Sequence, residues 1–425
     1  MIKLNVSIER NGTMVPAGLI CGQNTSDSTF CYNEAYLRGP VSIPVSISLP
    51  LQTQPFSAAQ TKCFFEGLLP EGYTRRTVAQ WMHVHEDDYL SILHGLGKEC
   101  LGAICISEDG EDIHAAYEPI SEQQVRELAA EGATKSAELV TKAHLSLTGA
   151  SGKVGLYYDA PHDEWYLPQG TAPSTHIVKQ SHVRLQGIVT NEQLALQTAS
   201  RCGIGISESF IINTGSGKED EVLFATRRYD RQFAPNAKMI GSLACPYRLH
   251  QEDFAQAMGI PASEKYEKEP KEYLRGMFEL LRKYSAEPIA DQLKLWDALV
   301  FDYLIGNTDA HIKNFSLLYS ADLKSVRLAP IYDLVSTTVY SQSTREMAFR
   351  IGGALSLDDM SRDSFLLAAR DVGIGERMAV RRFDSVCGRF RAALHESAEV
   401  LAAEGYPMAA ELEESILETG GIRNH

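Results

Sequence analysis

Residues 304–317 read LIGNTDAHIKNFSL, an apolar run that stops at Gly306 and resumes at Phe315. Between them Asp309, His311, Lys313 and Asn314 crowd into a short polar island. Asp309 and Asn314 have the D-x-x-x-x-N spacing of phosphoryl-transfer loops, where the carboxylate accepts a hydroxyl proton and the amide reaches a metal. Lys313 can neutralise a moving phosphoryl group. Downstream, SVRLAPIYDLVS is a β-like run that delivers Asp333, a second oxygen donor for a hard cation. The Asp-to-Asn spacing alone recurs by chance. Its setting after a helix, before an apolar strand and with a further Asp beyond, is rarer.

Upstream lies a second set. TGASGKVG, with Gly149, Gly152 and Gly155, fails as a Walker A loop, because Val154 follows Lys153 where Ser or Thr belongs. It reads as a hairpin between two β-like runs, either a plain turn or a loop laying N–H groups over phosphates. Lys179, ending the short apolar strand in STHIVKQ, sits about 25 residues later, as a phosphate-pairing strand lysine does. Glu192, on the next helix, is a weak candidate for its ion-pair partner. Glycine-rich turn, strand Lys, Asp–Asn loop and strand-end Asp thus occur in the order of a protein-kinase chain.

The elements that must position them follow from length and pattern. A chain of 425 residues exceeds the ~250–300 at which single cores stop growing, so two or three domains are expected. A net charge of −15 argues against a general polyanion binder. The eight cysteines include no C-x-x-C pair and read as buried free thiols. Glu9 and Arg10 interrupt the start where a signal peptide needs an apolar stretch, and no run approaches a membrane span, so the expected location is cytoplasmic, without membrane contact.

Residues 2–8 and 41–51 (VSIPVSISLPL) read as strands, and SAAQTKCFFEGLLPEG and DDYLSILHGLG as helices, giving an N-terminal α+β domain over 1–107. A polar connector with an exposed helix near Ser121 covers 108–140. Residues 141–240 read as a β-rich lobe carrying the glycine-rich loop and a hinge, and 241–425 as a helical lobe carrying the two polar loops. The fold class is therefore α+β, a bilobal protein-kinase-like fold with an extra N-terminal domain.

TDAHIKNFS with LAPIYDLVS, STHIVK, RLHQEDFAQAMG, and the earlier SLPL, FFEGLLPEG and LGKECLGAICI together resemble the HipA family of serine/threonine kinase toxins, over nearly the whole chain. The resemblance implies ATP and Mg²⁺. Asp309 would be the general base, Asn314 and Asp333 the metal holders, and Lys179 a phosphate contact. Thr148, Gly149, Ala150, Ser151, Gly152 and Lys153 would form the phosphate loop. His311, Ile312, Lys313 and Asn314 would line the nucleotide site, and Arg227, Arg228 and Tyr229 the hinge beside adenine. Ser146 matches the family's autophosphorylated position, with Ser151 a second candidate.

The resemblance also implies a helix-turn-helix antitoxin, operator DNA contacted mainly through it, and a protein substrate such as an aminoacyl-tRNA synthetase, whose modification arrests translation. Two departures stand out: the family loop commonly reads A-G-A-Q-E-K against TGASGK here, and the hinge Glu-Arg-Phe against Arg-Arg-Tyr. The rival readings are a small-molecule phosphotransferase on the same fold and a non-catalytic repressor subunit.

Overall fold

Leu4, Val6 and Ile8 alternate with more exposed neighbours and are buried, which makes Ile2–Arg10 a one-faced strand. In the computed structural model, which describes residues 2–40, 42–111, 114–143, 146–147, 152–181 and 185–425, this strand lies inside an antiparallel sheet. The order is Thr29–Tyr32, Thr13–Gly22, Ile2–Arg10, Ile104–Ser107. Its buried face meets helix Ala58–Glu66 through an aromatic cluster in which Phe30 packs edge-on against Phe65 with centroids 5.3 Å apart. Ser57 and Gln60 form a reciprocal cap at the start of that helix.

The stretch expected as a strand at 41–51 is not one: its described residues make only an isolated bridge, Ser46 to Leu49. Pro44 and Pro50 lack the N–H a ladder needs. The segment is tied down by Tyr32 instead, whose hydroxyl accepts from Val45 N (2.9 Å) and donates to Leu49 O (2.5 Å).

The chain divides into two compact units: residues 1–180, 225–262 and 318–325, and residues 181–224, 263–317 and 326–425. In the first unit part of a second sheet runs antiparallel in the order Ala116–Ile120, Glu164–Gln169, Lys153–Asp159, His176–Gln180. Residues 108–140 contribute its edge strand and helix Glu122–Glu131, which Ser121 caps. Of the expected hairpin, the second arm is strand Lys153–Asp159, while the first arm and the turn lie mostly outside the described residues. Helix Ala133–Ala143 precedes the glycine-rich segment, and Ser146 sends its N–H to Glu99 O (2.8 Å) rather than to a strand.

The polar centre of this unit is a buried cluster of three carboxylates and three guanidiniums. Glu99 receives Arg228 (3.1 Å) and Arg231 (2.7 Å) on one oxygen and Arg248 (2.6 Å) on the other. Arg248 also meets Glu9 (3.0 Å), and Arg228 meets Asp230 (2.7 Å). Burial alone pushes the Glu99 carboxyl up, but Arg231, Arg248 and Arg228 outweigh it and hold it down at about 2.

The second unit is helical. Helix Pro288–Ile305 is buried over most of its length. Trp296 packs edge-on against Phe365 of helix Arg362–Val372 (5.7 Å) and donates its indole N–H to Ala379 O in helix Glu376–Ala403 (3.2 Å). All eight cysteines are free thiols.

Removing one partner from a buried ion pair strands the others. Glu99→Ala is therefore expected to lower unfolding stability by about 3–5 kcal/mol in urea titrations. Because the folded pKa lies below the unfolded one, near 4.5, the wild-type contribution of Glu99 is complete above about pH 4.5 and lost toward pH 2. The gap between wild type and variant should close over that window.

Candidate active site

Helix Pro288–Ile305 ends at Gly306, whose φ of +73° only glycine adopts freely. A Cβ there would also lie 2.1 Å from Thr338 Oγ1 and 3.1 Å from Gly420 Cα. The chain then turns back on its own helix. Asn307 donates its N–H to Asp302 O (2.8 Å) and its amide Nδ2 to Asp302 Oδ1 (2.8 Å). Asp309 follows, exposed at the turn. Its carbonyl accepts from His311 N (2.7 Å) and from Asn314 Nδ2 (2.9 Å), and Asn314 N donates to His311 O (2.8 Å). The two polar residues that spacing singles out are thus joined directly, across a single 3-10 turn, Ile312–Asn314. Ile312 is fully buried and anchors this turn; His311, Lys313 and Asn314 are buried too.

Asp333 is brought to the same loop by its neighbours. Tyr332 donates its hydroxyl to Lys313 O (3.0 Å) and shares a hydrogen bond with Ser316 Oγ (2.6 Å). On the other side, Thr337 N and Thr338 N both donate to Gly306 O (3.1 and 3.2 Å), and Thr308 N donates to Thr337 Oγ1 (2.8 Å). Asp333 itself has φ +59°, a left-handed conformation that a non-glycine residue adopts at a cost. Ile331 N bonds Gly205 O (2.9 Å), and Asn191 accepts from Ser336 N and donates to Ser336 O (2.9 Å each), holding the backbone on both sides. Asn314 and Asp333 offer an amide and a carboxylate oxygen. That donor set fits Mg²⁺, which keeps several waters and takes phosphate oxygens with one or two carboxylates.

The remaining predicted residues, Glu192 apart, lie in the first unit. Lys153 and Lys179 are register partners on adjacent antiparallel strands, so both side chains leave the same face as a rung of two like charges. Gly152 is buried just before this rung; Thr148, Gly149, Ala150 and Ser151 lie outside the described residues. Arg227 is exposed, whereas Arg228 has its guanidinium in the buried cluster and its N–H on Thr175 O (2.9 Å). The hydroxyl of Tyr229 donates to Gln251 Oε1. Ser146 is buried and donates its hydroxyl to Leu68 O (2.6 Å). Glu192 is buried within helix Ile188–Arg201 of the second unit.

Comparison with known proteins bears on this arrangement. A family model described as HipA-like C-terminal domain matches residues 145–394, and one described as HipA N-terminal domain matches residues 11–107. The chain belongs to the HipA family. Among HipA relatives, the protein Y4mE of Sinorhizobium fredii is 35% identical over 383 residues, covering 87% of each chain. The serine/threonine-protein kinase toxin HipA of Shewanella oneidensis is 27% identical over 351 residues, covering 78% of this chain and 75% of that one. The solved Shewanella oneidensis toxin–antitoxin complex of HipA, HipB and operator DNA superposes with a TM-score of 0.79 at 20% identity, over 99% of this chain and 97% of that one. It establishes the α+β, protein-kinase-like fold. No helix among the described residues is long and apolar enough to cross a membrane.

Some residues that hold the two polar loops escape sequence reasoning. Tyr266 donates its hydroxyl to Asp309 Oδ1, yet in the sequence it is one aromatic in a charged stretch, SEKYEKEP. Asn191, which pins the Asp333 segment, sits inside an ordinary helix. Asp302 is hidden among the apolar residues of its helix; burial pushes its carboxyl up to about 8, against the lowering effect of Asn307.

A carboxyl with a raised folded pKa binds a proton that the unfolded chain releases, so the fold loses stability as pH rises from about 4 toward 8. Asp302→Asn keeps an oxygen for the Asn307 amide and removes this term. Urea midpoints measured from pH 5 to pH 8.5 should fall less steeply for the variant, leaving it the more stable protein at the alkaline end.

Proposed function

We propose that this chain is an ATP-dependent serine/threonine protein kinase that acts as the toxin of a toxin–antitoxin pair. The observation that carries the reading is the Asp309–Asn314 loop, hydrogen-bonded through Gly306 and Lys313 to the strained segment of Asp333. Asp309 takes the proton of an acceptor serine hydroxyl as the serine oxygen attacks the γ-phosphorus of ATP, whose bond to the bridging oxygen breaks to release ADP. Lys313 supplies positive charge beside that carboxylate. Asn314 and Asp333 would hold Mg²⁺, which when bound neutralises phosphate charge. The Lys153–Lys179 rung puts two cationic residues at one register position of the sheet, a composition that suits the phosphates of ATP.

The name of the Shewanella relative supports the serine/threonine and toxin parts of the reading, and its complex supports an antitoxin partner that brings operator DNA. We extend this to a helix-turn-helix antitoxin, co-repression of the operon, and an aminoacyl-tRNA synthetase as the protein substrate. Ser146 is the proposed autophosphorylation site. Its hydroxyl is buried on Leu68 O, so modification requires the segment to leave that position, and a phosphate of about −1.5 to −2 charge cannot return to a carbonyl partner. Silencing follows.

Loss of a positioned base typically costs ~10²–10⁴ in rate. Incubated with Mg-ATP and a cell lysate, the wild type should place labelled phosphate on protein serine, its own Ser146 included, and Asp309→Ala should reduce that label by this factor. Label appearing on a metabolite would make the chain a small-molecule phosphotransferase; undiminished transfer by Asp309→Ala would remove the loop from the chemistry.

A further inference from the structure

Tyr266 lies 43 residues before Asp309 and belongs to no helix or strand. Its ring is about two-fifths exposed, yet its hydroxyl is spent on one oxygen of the carboxylate that the reading above makes the base. The same ring stands edge-on to His311, with centroids 5.2 Å apart and planes at 79°, and Lys265 Nζ lies 5.5 Å from its centroid. The phenol thus touches the loop at two residues, Asp309 and His311.

The segment that carries it is built as a fixed bracket. Glu267, the next residue, is buried and accepts from Lys271 N (3.0 Å), Tyr273 N (3.2 Å) and Arg350 N (2.9 Å). Its own N–H donates to Ala348 O (2.8 Å). On the other side, Tyr273 reaches back from the start of helix Tyr273–Tyr284 and donates its hydroxyl to Glu264 O (2.6 Å). The chain is therefore pinned two residues before Tyr266 and one after it, to the helix that follows and to the strand Glu346–Ile351. An exposed tyrosine of purely structural purpose needs no such bracket, and a mobile lid would not have one.

We propose that Tyr266 is the positioning residue of Asp309: its hydroxyl holds Oδ1 so that the carboxylate meets an acceptor hydroxyl in one orientation. Near-attack geometry is sensitive to displacements of this kind, a misplacement of about 1 Å costing up to ~10²-fold in rate. The inference rests on the kinase reading and deepens it.

The test is single-turnover transfer from labelled Mg-ATP at saturation into the chain's own serine, with ATP affinity measured separately by equilibrium dialysis. Tyr266→Phe, which keeps the ring and removes the hydroxyl, is expected to slow transfer by about 10- to 100-fold, with ATP affinity and the thermal midpoint unchanged. In the residual activity of Asp309→Asn, the same substitution should have no further effect, because the two groups act as one unit. Three results overturn the proposal: wild-type transfer by Tyr266→Phe, faster transfer than wild type (which would make the phenol a plug), or a full additional loss in the Asp309→Asn background. A wild type that transfers no phosphate at all removes the kinase reading and this proposal with it.

Discussion

The carbonyl of Gly306 accepts three hydrogen bonds, from Thr337 N, Thr338 N and Thr337 Oγ1. A helix end leaves its last carbonyls without partners inside the helix, and here that need falls on the segment that also carries Asp333. The buried helix Pro288–Ile305 thus recruits the second polar loop to the end of the first. Glycine is needed twice over at this point: for the left-handed turn that exposes the carbonyl, and for the space that Thr338 occupies. Most of the local geometry of the candidate site follows from this junction, because both loops hang from it.

The first unit is organised by a different force. Three chain-distant residues of this unit meet on Glu99, whose carboxylate accepts from Ser174 N (3.1 Å) and the Arg228 guanidinium (3.1 Å) and whose carbonyl accepts from Ser146 N (2.8 Å). Charges buried this deeply have little energetic reason to exist beyond their mutual satisfaction. What the cluster supplies is register: three arginines between residues 228 and 248 are committed to carboxylates at 9, 99 and 230. The N-terminal 107 residues are thereby locked to the strands that carry the lysine rung.

Legibility in the sequence tracked distance along the chain. Polar residues within one turn, Asp309 to Asn314, could be read because their spacing is their geometry. Strands Ile2–Arg10 and Lys153–Asp159 could be read because alternation or a β-rich run reflects burial. The stretch at 41–51 misled because its β-branched residues hid two prolines that forbid a ladder. Arg228 looked like a ligand-facing hinge residue, and nothing local says that its guanidinium belongs to Glu99, 129 residues away. Tyr266 and Asn191 were silent for the same reason.

Asn191 shows how far the site extends. A non-glycine residue held left-handed costs of order 1–3 kcal/mol, and Asp333 is such a residue. A glycine would relax the backbone but would have no carboxylate, so the strain accompanies the metal-holding role proposed for Asp333. It persists because the flanking backbone is bonded on both sides. Ile331 N to Gly205 O and the paired bonds between Asn191 and Ser336 contribute about 1 kcal/mol each, enough to offset the cost. Asn191 touches no reacting group, yet without it the conformation of Asp333 loses two of the three bonds that outweigh its strain. The polar island between two buried stretches is therefore only the exposed part of the device; the rest is buried amide and backbone that keeps a strained carboxylate in place.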